Sequence, residues 1–112
     1  MKKVWAWILS GMLMGLTLWG DGPAAGIETD QGKNLFGANC VICHGGNGEG
    51  DGPGAVAFSP RPANFTDPKF WQNMNDGKIA DVIRNGHGMM PAFNLTPQQI
   101  KAITEYLKHF KK

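Results

Sequence analysis

Cysteine is scarce in this chain of 112 residues: there are two, Cys40 and Cys43. A framework of several disulfides is thereby excluded. No segment alternates apolar and polar residues for long enough to argue a strand, so nothing points to a sheet. Charge is sparse and nearly balanced, with 11 Lys and Arg against 9 Asp and Glu. A net +2 offers little to a nucleic acid backbone. Long apolar runs are also wanting. Val4 to Trp19 carries no charge, but its sixteen residues are interrupted by Ser10, Gly11, Gly15 and Thr17. That falls short of the roughly twenty residues of a comfortable membrane span. Because no third cysteine follows this run, a lipoprotein anchor is excluded by chemistry.

What is present begins with a leader. Lys2 and Lys3 supply a positive start to the uncharged run, the pattern of an export signal. Small residues for cleavage lie within Gly22 to Gly26, with Ala24-Ala25-Gly26 before Ile27 as one option. An uncleaved N-terminal anchor is the alternative. Residues 1–26 are therefore read as signal or anchor and residues 27–112 as one domain, which either reading carries across a membrane. Sixteen glycines in so short a chain leave a thin protein core.

Helix signals dominate the exported part. Thr29 or Asp30 can cap a helix beginning near Gln31 that carries Leu35 and Phe36 forward. Gly45 to Gly54 holds six glycines in ten residues and is followed by Pro60 and Pro62, so it must be loop. Thr66 is expected to cap a short helix with Pro68 in its first turn, and Asp76 another through Ile79, Val82 and Ile83 that ends at Gly86. Thr96-Pro97-Gln98-Gln99 is a capping box, and Ile100, Ile103, Leu107 and Phe110 form one apolar stripe behind it. The fold class is all-α. The basic tail Lys108, His109, Lys111 and Lys112 suits a helix C-terminus, with part of a docking surface as the other reading.

Both cysteines belong to Cys40-Val41-Ile42-Cys43-His44, the C-x-x-C-H arrangement that attaches c-type haem. Two thiols on one helical turn can add to the vinyl groups of one porphyrin, and the histidine that follows is carried under the ring to the iron. Three other readings compete. A structural zinc site wants four ligands, and beyond these three the chain offers only His87 and His109. A thioredoxin-like pair wants a βαβ setting that the flanking sequence lacks. A vicinal disulfide leaves His44 unexplained. A covalently held haem would also fill the thin core, and without it the protein is expected to fold poorly.

The glycine loop offers two weak matches. Gly50 to Ala55 fits a dinucleotide fingerprint, but no strand precedes it. Asn47, Glu49, Asp51 and Gly52 imitate a calcium loop, yet Phe58 stands where the bidentate glutamate belongs. Glycine there is better understood as letting the backbone turn tightly past a bulky ligand.

Over residues 29–112 the chain resembles bacterial monohaem class I cytochromes c. The resemblance rests on Gly32 and Phe36, Cys40-x-x-Cys43-His44-Gly45, Gly50-Asp51-Gly52-Pro53, Pro60-x-Pro62-x-Asn64-Phe65, Met90-Pro91 with Phe93, and Tyr106-Leu107. It implies a small fold of about four short helices and long Gly/Pro-rich loops around one haem c, with Gly32 and Phe36 packed on Tyr106. It also implies a periplasmic setting, where such haems are attached, or the outer face of the cytoplasmic membrane if the leader is kept.

The same resemblance implies axial ligation by His44 and by Met90 in its Met-Pro setting. Met89 is the adjacent alternative, and Met74, His87 and His109 are further candidates. A thioether ligand raises the potential relative to two imidazoles. The resemblance also implies that the Pro53 carbonyl holds the second nitrogen of His44. Arg61 and Trp71 are candidates for a haem propionate, by ion pair and indole N–H. Val41, Ile42, Ala55, Phe58, Phe65, Ile83 and Phe93 are candidates for the apolar wall.

Removing residues 1–25 takes away Lys2, Lys3 and Asp21 and leaves a formal +1, which two propionates would bring near −1. The implied function is single-electron transfer between transient protein donors and acceptors by a monomer, not catalysis. An accessory haem subunit of a larger oxidoreductase and a gas- or peroxide-binding haem protein are the alternatives. A dihaem peroxidase is excluded, because there is no second C-x-x-C-H.

Overall fold

The computed structural model describes residues 25–112. Residues 1–24 of the segment read as signal or anchor lie outside the described residues. Five helices follow one another: α1 (Ala25–Asn39), α2 (Val41–His44), α3 (Pro68–Asn73), α4 (Asp76–Asn85) and α5 (Pro97–Leu107). Single 3₁₀ turns stand at Ala55–Ala57 and Lys108–Phe110. The described residues contain no strand, as the all-α reading requires; one isolated bridge pairs His87 with Met90. Among them no helix is long and apolar enough to cross a membrane.

The helix starts show how local chemistry was resolved. At α5 the expected capping box is present: the Gln99 N–H donates to Thr96 Oγ1 at 3.2 Å, and the Thr96 N–H donates to Gln99 Oε1 at 2.9 Å. Elsewhere the cap moves by one residue. Asp67, not Thr66, caps α3 by accepting from the Lys69 N–H at 2.9 Å. Thr66 is engaged in a turn instead, with its N–H and its hydroxyl both donating to Asn64 Oδ1. Asn75, not Asp76, caps α4 by accepting from the Lys78 N–H. Asp76 becomes the first helical residue, where its charge still favours the helix N-terminus. Helix α1 starts well before Gln31, and Thr29 and Asp30 lie inside it, where neither can act as a cap.

The core forms where α1 crosses α5. A Cβ at Gly32 would run into the backbone carbonyl of Ala102, so the two helices meet with no side chain between them. Phe36, one turn on, packs at 5.4 Å from both Tyr106 and Phe110. Ile100, Ile103 and Leu107 are buried against Phe36, Phe65 and the Ile79 and Ile83 side chains of α4. Each such aliphatic residue contributes about 1.5–3 kcal/mol. Phe110, the last member of the stripe, is half-buried. Thr104 is the buried polar exception on α5, and its hydroxyl donates to the Ile100 carbonyl at 2.9 Å. The region around α2 and the Ala55–Ala57 turn that packs on it stays open, with Ile42 63% and Val56 86% exposed.

Candidate haem-attachment site

Helix α2 is a single turn. The Cys43 and His44 N–H groups both donate to the Cys40 carbonyl, at 3.2 and 2.9 Å. Cys40 and Cys43 therefore share one face, the separation at which helical side chains are neighbours. Both are free thiols and half-buried. Burial, and next the adjacent Cys43, push the Cys40 thiol up to about 11. That shift runs opposite to the one a thiol-disulfide redox pair uses, and the described residues hold no strand for the βαβ setting such a pair wants. Zinc is no better served: among the described residues no group of three or more His, Cys, Asp or Glu is placed to hold a metal ion.

The glycine loop caps α2. The N–H groups of Gly45, Gly50, Gly52 and Gly54 donate to the carbonyls of Val41, His44, Cys43 and Ile42 in turn. These are the carbonyls a helix end leaves without partners. A Cβ at Gly52 would strike the Val41 and Ile42 carbonyls, so only glycine lets the loop approach the helix end this closely.

His44 is buried, and its Nδ1 lies 3.1 Å from the Ala63 carbonyl. A carbonyl only accepts, so Nδ1 carries the proton and Nε2 keeps its lone pair for a metal. Burial holds the imidazole below its usual range, against the opposing pull of that hydrogen bond. The acceptor is thus Ala63 and not the expected Pro53. The reason is the capping just described: Gly52 and Gly54 dock the residues around Pro53 onto the end of α2, and Pro53 itself is exposed. The 62–65 segment passes beside the imidazole instead, tied to the loop by the Phe65 N–H donating to the Gly48 carbonyl at 2.7 Å. Phe65 lies over the imidazole, with ring centroids 4.6 Å apart and planes 23° from parallel. Sequence reasoning had Phe65 only as wall and did not single out Ala63. The signal available was Pro62-x-Asn64-Phe65 itself, a stiff, turn-prone segment that the fold, not the sequence, brings beside the haem motif.

The other candidates separate clearly. His87 and Met90 close a tight turn, each N–H donating to the other's carbonyl at 3.0 and 2.9 Å. That turn leaves His87 exposed and Met89 57% exposed, while Met90 is half-buried against the core. The Phe93 N–H, donating to the Ile83 carbonyl at 2.9 Å, ties the following residues to α4. Met74 packs against the core, and His109 is exposed with Nδ1 donating to the Tyr106 carbonyl. Arg61 is exposed and enters none of the ion pairs among the described residues. Trp71 departs from expectation: its single N–H donates to the Phe65 carbonyl at 2.7 Å, so no donor is left for a propionate.

A family model described as "Cytochrome c" matches residues 29–111. The chain belongs to the cytochrome c family. Membership implies a covalently attached haem c, and the residues present fit it. Two free thiols share one helical face, a neutral imidazole offers Nε2, and Ile42 and Val56 leave apolar surface beside them. Among cytochromes, the chain is 30% identical over 112 residues to "Cytochrome c6" of Gloeothece citriformis, covering 96% of this chain and 93% of that one. It is 37% identical over 91 residues to "Cbb3-type cytochrome c oxidase subunit FixP" of Azorhizobium caulinodans. That match takes in 79% of this chain but only 28% of the FixP length.

Two solved structures resemble the fold. The "KustC0563 c-type cytochrome" matches with a TM-score of 0.64 at 30% identity, over 72% of this chain and 98% of that one. A chain of the Kuenenia stuttgartiensis reducing HAO-like protein complex Kustc0457/Kustc0458 matches with a TM-score of 0.62 at 27% identity, over 73% and 42%. A cytochrome c domain that transfers electrons through haem is therefore the level at which the family reads this chain.

Proposed function

We propose that residues 27–112 form an extracytoplasmic one-electron carrier, exported by the segment 1–26 and acting between transient protein partners as a monomer. The bound haem would supply a couple between Fe(III) and Fe(II). His44 would hold one axial position through Nε2 and Met90 the other through its sulfur, while Cys40 and Cys43 hold the porphyrin edge. Arg61, exposed and in no ion pair among the described residues, is the residue that would serve a propionate. With His44 and Met90 both holding the iron, the bound haem would offer no open position to a substrate and little would rearrange on electron transfer, which suits a carrier rather than a catalyst.

The observation that carries this reading is the sorting of the His87–Met90 turn. Met90 packs half-buried against the core, while the neighbouring Met89 and His87 are exposed. The test is the absorption spectrum of the exported ferric protein in the far red, where methionine ligation of haem c gives a weak band. The band should be present, vanish in Met90→Ala and persist in Met89→Ala. Its absence from the native protein, with carbon monoxide binding readily to the ferrous form, would replace the shuttle with a gas- or peroxide-binding haem.

A second reading is favoured by the likeness to FixP, a subunit of an oxidase by its name. In it the domain serves as a fixed haem module of a larger complex. Retention of the leader and a partner that co-purifies through salt washes would support it over the free carrier.

A further inference from the structure

Phe65 is held at both ends of its backbone. Its N–H donates to the Gly48 carbonyl in the haem-motif loop, and its carbonyl accepts from the Trp71 indole, each at 2.7 Å. Its ring, 6% exposed, is enclosed by Phe36 at 6.3 Å, Phe70 at 5.1 Å and Phe110 at 6.3 Å. The remaining face covers His44. Two residues earlier on the same segment, Ala63 accepts the His44 Nδ1–H. These two contacts act in perpendicular directions. The hydrogen bond lies near the imidazole plane and tolerates a broad range of angles at the carbonyl, so alone it leaves the ring free to rock about the Nδ1···O line. A flat aromatic face stacked on the imidazole blocks that rocking.

We propose that Phe65 is the positioning residue that sets the plane of the axial histidine, and that Trp71 acts through it as an anchor. An aliphatic side chain of similar bulk would fill the space without presenting a flat wall, and a Trp71 lacking its N–H would leave the Phe65 carbonyl without its donor. The inference rests on His44 as an iron ligand, part of the reading above, but not on the identity of the ligand across the ring.

The plane of an axial imidazole contributes, together with the ligand across the ring, to the in-plane asymmetry of ferric haem, which proton NMR reads as the order and spread of the four hyperfine-shifted haem methyl resonances. Solvent exchange of the Nδ1 proton reports on the imidazole alone. The experiment compares ferric holoprotein of wild type, Phe65→Leu, Phe65→Tyr, Trp71→Phe and Thr96→Ala. The last removes the α5 cap without touching Phe65, so it controls for general loosening. Phe65→Leu should reorder or compress the methyl shifts and speed solvent exchange of the His44 Nδ1 proton at least about tenfold. Phe65→Tyr should keep the wild-type pattern, and Trp71→Phe should move it in the same direction as Phe65→Leu but less far. A wild-type pattern in Phe65→Leu, or an equal change in Thr96→Ala, overturns the proposal. If Phe65→Leu does not accumulate with haem, Trp71→Phe decides: a shifted pattern supports the proposal and an unchanged one overturns it. The far-red band, recorded on wild type and on every variant, reports separately on Met90. A methyl pattern that moves with the band retained and His44 Nδ1 exchange accelerated is assigned to His44, so the two readings fail independently.

Discussion

Gly32 of α1 lies so close to the backbone carbonyl of Ala102 in α5 that a methyl group has no room between them. The obstacle is main chain, which cannot swing aside as a flexible side chain would. Gly32→Ala should therefore push the two helices apart and disturb the Phe36 and Tyr106 contact that follows. A loss of about 1–3 kcal/mol is expected, as for overpacked cores. Urea denaturation of the holoprotein should show a lower midpoint with an unchanged slope.

Removal of the haem should unmake more than the site. The buried core of the described residues is a short list from α1, α4, α5 and Phe65, while α2 and the Ala55–Ala57 turn leave Ile42 and Val56 largely in solvent. A chain with both Cys40→Ser and Cys43→Ser should carry no haem after denaturing electrophoresis and should lose much of its far-ultraviolet helical signal. Full helicity without the cofactor would mean that the protein core suffices alone, contrary to what its size suggests.

A pH effect is expected at the far end of α5. Lys108 donates to Glu105 at 2.8 Å and to Asp76 of α4 at 3.1 Å. The Glu105 hydrogen bond first, opposed next by desolvation and then aided by the Asp76 hydrogen bond, raises the Lys108 ammonium above its ordinary range. A raised lysine contributes stability fully below its unfolded value, near 10.4. That contribution is lost as pH climbs through the higher folded value. Because the side chain is well exposed to solvent and salt, it amounts to under about 1 kcal/mol. Thermal melts of wild type and Lys108→Met should differ slightly at pH 7, converge above the lysine range, and converge also at high salt.

Several features were legible in the residues because they depend on neighbours in the chain. The C-x-x-C-H turn needs only one turn of helix to bring its thiols to one face. The α5 capping box closes within Thr96 to Gln99, and the Ile100, Ile103 and Leu107 stripe follows from helical spacing. At α3 and α4 the same local logic located the helices and missed the cap by one residue. Adjacent Thr66 and Asp67, or Asn75 and Asp76, compete for one role, and the loser takes another partner.

What no local rule could supply is which distant group meets His44. That depended on how the glycine loop closes on α2: its amides cap the helix carbonyls, hold Pro53 at the helix end, and leave the imidazole to Ala63 and Phe65. Trp71 illustrates the same point, since its one N–H could serve a propionate or a backbone carbonyl with equal chemistry. Sequence encodes the donors and acceptors each residue carries. Pairing among residues far apart in the chain follows from the packing of α1 on α5 and the path of the loops between them, because a hydrogen bond forms only where the fold brings its partners within reach.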